Sequence, residues 1–453
     1  MPSPIAEAFA ALHRAAPHAP VAWTSRGVRD RDDLWSLARG LANGLPGDGA
    51  RVAVSVRDPF VLLASVLAIW QRDGCAVLLD AADPQAPRRD LALHFGACGL
   101  LVDDPAPGIE WFDREGPAAA GACAAIKLTS GSTDVPRGIG VSAAAMIADA
   151  EQLEATMGIA ASDRVFAAVP MSFSYGVGNL LVPALWRGRE LVLPDPQHAF
   201  GFVQALRGGA PTVLPAVPSL LRALVQNAGE LPPSLRLVIS AGAALPAAVA
   251  TAVRARFGLC VHSFYGATEA GGICYDRSGG AAEAGTVGTP VDGVRVSLAA
   301  DGRVSVRSAA VGEALDGADN PRGGVFDAPD LGAWRDGQLA LLGRAGDVFD
   351  VGGHKVHPQE IERVIAELVG VDDVVVVPWC DAEGRASSAA LVAARGVDEL
   401  AVRRHCAQRL PAAKVPRCVR VVDELPRSNR GKLARTDVER LLAGAARTRE
   451  AGR

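Results

Sequence analysis

The chain of 453 residues carries 46 Lys+Arg against 50 Asp+Glu, a net charge of −4. That balance argues against a nucleic-acid binder, which shows a basic stripe, and 49% hydrophobic with 21% charged residues argues against disorder. The length suggests about three domains, or one large and one small.

Eight cysteines are scattered without a CxxC pair, as in a cytoplasmic protein with reduced thiols. The first residues, Met1-Pro-Ser-Pro-Ile5, lack the basic region of a secretion signal. Two uncharged runs, Val165 to Trp186 and Leu237 to Val253, are long. Pro170, Gly176, Gly178 and Pro183 break the first, and Gly242 and Pro246 the second. Both read as buried strand, loop and helix rather than as membrane spans.

Taken in order, Arg51 to Val56 reads as a strand, Pro59 to Trp70 as a helix and Cys75 to Leu79 as a strand. This β–α–β rhythm predicts a mostly parallel sheet covered by helices. It returns with strands at Arg164 to Val169, Glu190 to Leu193, Pro211 to Leu214, Leu235 to Ile239 and Leu259 to Phe264. Helices are predicted over Ala143 to Met157 and Pro218 to Asn227. From Gly285 to about Leu342, short β-like pieces predict a small barrel or antiparallel sheet. After Gly343 the pattern is compact α+β: a helix from Pro358 to Val369, a strand at Val371 to Val377, a helix from Asp398 to Leu410, a strand at Val419 to Val422 and a last helix to about Ala443. The expected division is 1–343 and 344–453, with the hinge near Gly343 to Asp347.

Four segments could carry chemistry. In Ile126 to Gly138 a strand runs into Thr129, Ser130, Gly131, Ser132 and Thr133, then Arg137. Small side chains let backbone N–H groups and hydroxyls wrap phosphate oxygens, and a guanidinium balances their charge. The P-loop pattern GxxxxGK[ST] is absent. In His262 to Ile273 a strand ends in Tyr265 and Gly266, followed by Thr268 and Glu269. An aromatic ring can stack on a base, a hydroxyl can hold a phosphate and a carboxylate can hold Mg²⁺. The third segment holds Ala328-Pro-Asp330, Gly343-Arg344-Ala-Gly-Asp347 and Gly352-Gly353-His354-Lys355. The fourth is Leu425-Pro-Arg-Ser-Asn-Arg-Gly-Lys432.

These segments, with Gly285 to Gly293 and Leu410 to Pro416, resemble the adenylate-forming superfamily: acyl- and aryl-CoA synthetases, acyl-carrier-protein ligases and peptide-synthetase adenylation domains. The resemblance covers nearly the whole chain. It implies a large N-terminal α/β domain with a small barrel-like part, and a mobile C-terminal α+β domain. It implies that Thr129 to Thr133 hold the ATP phosphates, although Asp134 stands where the family usually has Gly, and Arg137 where it has Lys. Ala241, Gly242, Ala243, Tyr265 and Gly266 would enclose adenine. Thr268 would meet the α-phosphate and Glu269 the Mg²⁺ ion. Asp330 and Arg344 would hold the ribose, Asp347 would be the hinge, and Lys432 would reach the reacting phosphate and carboxylate. Gly352, Gly353 and His354 would line the thiol channel. The other histidines show no metal-ligand spacing.

The implied reaction joins a carboxylic acid to AMP and passes the acyl group to a phosphopantetheine thiol, of CoA or of a separate acyl carrier protein. The Tyr-Gly-x-Gly-Asn179 run resembles benzoate-type ligases. Ser174 occupies the position where amino-acid-activating relatives carry Asp. Phe173, Tyr175, Ala270, Gly271 and Gly272 would form an apolar pocket, suited to a small aromatic acid such as a hydroxybenzoate. A medium- or long-chain fatty acid and a catalytically weak adenylate-binding protein are the alternative readings.

Overall fold

Pro59–Gln71 is apolar on every side, so it belongs inside a core. It forms a helix with Pro59 in its first turn and Asp58 as N-cap, the Asp58 carboxylate accepting from the N–H groups of Phe60 and Val61. Leu62 to Trp70 are buried throughout, and Trp70 Nε1 donates to Ala124 O at 2.9 Å. The structure, a computed structural model, describes residues 2–45, 49–81, 88–104, 106–112, 123–129, 136–195, 201–315, 320–351, 354–380, 386–426, 437–438 and 440–442.

The strands near this helix are mostly hydrophobic runs, as suits parallel strands covered on both faces, with Lys127 as a buried exception. Cys123–Thr129, Cys75–Leu78, Arg51–Ser55 and Gly99–Val102 lie side by side in parallel. Antiparallel neighbours extend them on both sides, Arg137–Ser142 and Glu313–Ala314 at one edge and Gly108–Trp111 at the other. A second sheet has a parallel centre in the order Val261–Ala267, Leu237–Ser240, Val213–Ala216, Arg164–Phe166, Glu190–Val192 and Pro20–Thr24. Gly271–Tyr275 then Thr289–Pro290 add antiparallel strands beyond Val261–Ala267, and Gly27–Asp30 closes the far edge. Thus all five strands expected between Arg164 and Phe264 form, as neighbours in one sheet. Helices Ala143–Met157 and Pro218–Asn227 also form over the expected ranges.

Ala143–Met157 starts on Ser142, whose hydroxyl accepts from Ala145 N, and stops at Gly158 in the left-handed conformation. A further sheet orders Arg295–Leu298, Arg303–Arg307, Val325–Arg335 and Gln338–Arg344 as successive neighbours. Among the described residues no helix is long and apolar enough to cross a membrane. The first uncharged run becomes a strand followed by helical turns, one of them the π-helical stretch Val177–Leu181.

The chain divides into two compact units. The first comprises residues 1–297, 305–327 and 334–340, and the second residues 298–304, 328–333 and 341–453. In the second, Ala386–Ala394 is buried along nearly its whole length between Val371–Cys380, antiparallel, and Cys418–Val422, parallel. Helices Pro358–Ala366 and Glu399–Arg409 cover one face, with Ile361, Ile365, Val402 and Cys406 fully buried. The first of these helices ends short of the expected Val369: the chain tightens to i→i−3 bonds, Glu367 N to Val364 O and Leu368 N to Ile365 O, before Gly370 at φ +96° turns it into the next strand.

This unit holds a carboxyl group out of its usual range. Glu362 accepts from Val376 N at 2.8 Å. Desolvation by burial raises its pKa from 4.5 to about 7, against that hydrogen bond and with help from Asp373 and Asp347. The folded unit therefore holds this proton more tightly than the unfolded chain. Stability falls as pH rises from about 4.5 to about 7 and is level above. Glu362→Gln keeps the acceptor for Val376 and removes the charge. It is expected to stabilise the unit by about 2 kcal/mol at pH 8 and by nearly nothing at pH 4.5. Thermal melts at both pH values check this; an equal change at both would refute the titration argument.

Candidate active site

In open parallel sheets, ligand-binding loops gather at the carboxyl ends of the strands. The sequence-predicted residues of the first unit follow this rule. Thr129 ends Cys123–Thr129, Ala241 to Ala243 follow Leu237–Ser240, and Tyr265 and Gly266 close Val261–Ala267. Thr129 pairs with Arg137 across the antiparallel ladder, and its Oγ1 donates to Arg137 O at 3.4 Å. Thr129 and Arg137 thus stand at the facing ends of two antiparallel strands. Ser130, Gly131, Ser132 and Thr133, with Asp134, lie outside the described residues. Arg137 donates to Asn320 O at 2.7 Å, which ties the guanidinium to a segment far along the chain.

Thr268 and Glu269 lie in a tight turn, Ala270 N donating to Ala267 O, between Val261–Ala267 and Gly271–Tyr275. Both are half-buried, and Gly312 N donates to Glu269 O at 2.9 Å. Among the described residues no group of three or more His, Cys, Asp or Glu could hold a metal ion. A lone carboxylate still suits Mg²⁺, which binds through one or two carboxylates plus substrate phosphates and water. Gly242 adopts φ +81°, a turn open to glycine and strained for other residues.

Phe173 caps the short turn Ser174–Gly176. Tyr175 meets Phe264 at 5.6 Å between ring centroids, and its hydroxyl donates to Ile239 O at 3.5 Å. Burial raises the Tyr175 pKa far above the normal phenol range, so the group stays neutral. Ala270, Gly271 and Gly272 are all buried, and Phe264, the ring that meets Tyr175, also packs against Gly272.

Two residues were not singled out from the sequence. Lys127 is 3% exposed in the middle of an apolar strand, and Asp149 is 6% exposed on helix Ala143–Met157. Lys127 Nζ donates to Ser174 Oγ at 3.2 Å, and Asp149 Oδ1 accepts from Gly272 N at 2.9 Å. Desolvation lowers the Lys127 pKa, opposed by the negative charges of Asp149 and Glu269. Desolvation likewise raises that of Asp149, opposed by Lys127 and by the Gly272 N–H. The first bond joins the phosphate strand to the Phe173–Tyr175 segment, the second joins helix Ala143–Met157 to the Glu269–Gly272 turn, and the Lys127 and Asp149 charges are near enough to act on each other. A signal was present: Lys127 and Thr129 are two apart on a strand, so their side chains leave the same face.

In the second unit, Arg344 Nε lies 3.5 Å from Asp330 Oδ1, so the two expected ribose contacts are neighbours. Asp347 is half-buried in the single turn Ala345–Asp347. His354 lies on the strand His354–Val356. Gly352, Gly353 and Lys432 lie outside the described residues.

The AMP-binding enzyme profile matches residues 109–315, and the AMP-binding enzyme C-terminal domain profile matches residues 360–432. The 4-hydroxybenzoate–CoA/benzoate–CoA ligase of Rhodopseudomonas palustris is 31% identical over 396 residues, 79% of this chain and 73% of that protein. The chain belongs to the adenylate-forming, AMP-binding enzymes. Within this family the anthranilate–CoA ligase of Pseudomonas aeruginosa is 29% identical, over 84% of this chain and 80% of its own. The fold matches the o-succinylbenzoate CoA synthetase of Bacillus subtilis, solved with its acyl-adenylate intermediate. That match has a TM-score of 0.83 at 21% identity and covers 97% of this chain and 98% of the other. As an adenylate-forming enzyme, the chain is an AMP-forming acid–thiol ligase by class.

Proposed function

We propose that this protein activates a small aromatic carboxylic acid with ATP and transfers the acyl group to CoA. The observation that carries this reading is the pair of buried contacts Lys127–Ser174 and Asp149–Gly272, whose charges act on each other and which lie on segments of the phosphate, acid and Glu269 motifs. The 31% identity to a hydroxybenzoate and benzoate ligase supports the aromatic class.

A carboxylate is a poor electrophile, and its attack on the ATP α-phosphate brings two anions together. Positive charge and donors at the pentavalent centre are therefore the main requirement. In this reading Thr129 and the loop to Thr133 bind the phosphates, Thr268 donates to the α-phosphate and Arg137 and Lys432 supply charge. Glu269 would hold Mg²⁺, which adds positive charge on the phosphates when bound. The carboxylate oxygen bonds to phosphorus as pyrophosphate leaves. A thiolate then attacks the acyl carbon of the mixed anhydride and displaces AMP. Lys432 and the incoming thiol need the same space, so the segment after the Asp347 hinge turns between the steps. Glycines at 352 and 353 would leave a channel for the thin pantetheine arm.

ATP–pyrophosphate exchange against a panel of aromatic and aliphatic acids tests the reading. Exchange with one or a few benzoate-type acids, and a CoA thioester by mass spectrometry, is the expected result. Exchange confined to fatty acids would overturn the aromatic class. A thioester formed only on a phosphopantetheinyl carrier protein would overturn CoA as the acceptor.

A further inference from the structure

Lys127 and Asp149 present an unusual opportunity for recognition. Both charges are buried, yet no direct ion pair joins them. Among the described residues the ammonium, with three protons to donate, has one hydrogen-bond partner, Ser174 Oγ. Gly272 N–H satisfies one lone pair of the Asp149 carboxylate. A buried charge left short of partners costs several kcal/mol, roughly, unless something completes its hydrogen bonds. The chain makes room for the carboxylate. A β-carbon at Gly271 would overlap Asp149 Oδ1, and one at Gly178 would come 2.6 Å from Oδ2. Gly271 also has φ +69°. Gly178, Gly271 and Gly272 thus form a seat for Asp149, within the segments assigned to the acid.

Distance along the strand fixes which part of the acid reaches this seat. Lys127 lies two residues before Thr129 on the same face, about 7 Å back from the phosphate end. That is about the length of a benzoate ring from its carboxylate to a ring substituent. The two protein charges sum to zero, so a neutral polar substituent suits the seat. A second carboxylate would be repelled by Asp149, and a fixed cation by Lys127. A phenolic hydroxyl accepts from the ammonium while donating to the carboxylate, and an arylamine donates to the carboxylate.

We infer that Lys127 and Asp149 are specificity-determining residues that select a benzoate-type acid bearing a ring hydroxyl or amino group. The inference rests on the aromatic reading above and names the substituent within it. A site built to hydrogen-bond a substrate group rejects the analogue lacking it by large factors, because its own buried groups are then left unpaired.

The test is exchange kinetics with benzoate, the three hydroxybenzoates and the three aminobenzoates, on wild type, Asp149→Asn and Lys127→Met. At least one substituted acid is expected to exceed benzoate in kcat/KM by about 100-fold or more in wild type. Either variant is expected to shrink that ratio below about 10-fold, mainly through KM for the substituted acid. The two variants serve as mutual insurance, since each replaces a buried charge by a side chain of similar volume. Equal use of benzoate by wild type overturns the inference. So does a proportional loss for every acid, which would mark the pair as purely structural. If no aromatic acid supports exchange, the aromatic reading fails first and the inference falls with it; if benzoate alone works, only the inference fails.

Discussion

Lys432→Ala is expected to lower ATP–pyrophosphate exchange by about 1,000-fold or more while leaving thioester formation from supplied acyl-adenylate within about 3-fold of wild type. The asymmetry follows from charge. In the first half-reaction a carboxylate approaches a triphosphate, and negative charge builds on the phosphoryl oxygens. A fixed ammonium there stabilises the transition state more than the ground state, which is what accelerates a chemical step. In the second half-reaction of the proposed mechanism a thiolate attacks carbon and AMP departs, after Lys432 has left. A group present in one step and absent from the other must affect them unequally. Exchange measured with the preferred acid reads the first step, and mass spectrometry of the CoA thioester reads the second. A variant that loses both to the same degree would place Lys432 in folding or in general nucleotide binding. A variant that keeps exchange would remove it from the reaction.

Much of this architecture is legible in the residues. Strands such as Val213–Ala216 and Leu237–Ser240 are short apolar runs bounded by turn residues, and Ala143–Met157 has a serine before it and a glycine after it. Local chemistry sets such elements, so a single sequence displays them. Asp149 and Lys127 were harder to see, for different reasons. Asp149 lies on the buried stripe with Ala145, Met146, Leu153 and Met157. Its i+4 spacing from Ala145 and to Leu153 places it inward, and an acid on an inward stripe is a marked feature. Lys127 sits between Ile126 and Leu128, where the phosphate motif that follows draws attention away from it. Neither residue reveals its partner, because Ser174 and Gly272 are far away in the chain and meet them only through the packing of two sheets. The same holds for Asp330 and Arg344, whose proximity depends on the course of the strands Val325–Arg335 and Gln338–Arg344.

Gly176→Ala is expected to destabilise the first unit by about 3 kcal/mol or more and to abolish acid-dependent exchange, although it adds a single methyl group. After Pro170 the chain doubles back: Phe173 N donates to Pro170 O at 3.2 Å and Val177 N to Phe173 O at 2.8 Å. The turn is so close that a β-carbon at 176 would overlap Pro170 O and lie 2.7 Å from Met171 Cα. Both obstacles are backbone, which cannot rotate aside as a long side chain would. Relief requires moving either Pro170 or the helical turn itself. That turn carries Phe173, Ser174 and Tyr175, and it runs directly into Val177–Leu181, where Val182 N reaches back to Val177 O and Asn179 Nδ2 donates to Tyr175 O. Shifting it would displace the Ser174 hydroxyl from Lys127 and the Tyr175 ring from Phe264 together. Gly40→Ala provides the contrast. Gly40 is exposed within helix Arg31–Asn43 and a β-carbon there meets nothing within 4 Å. That substitution is expected to stabilise by about 0.5–1 kcal/mol, since alanine loses less backbone freedom in a helix. Thermal melts of both variants, with exchange assayed at a temperature where each is folded, separate the effects. A Gly176→Ala protein that melts with wild type and exchanges normally would show that the Pro170 turn yields freely. The Tyr-Gly-Val-Gly-Asn run would then be no more than a sequence resemblance, without a packing reason for its first glycine.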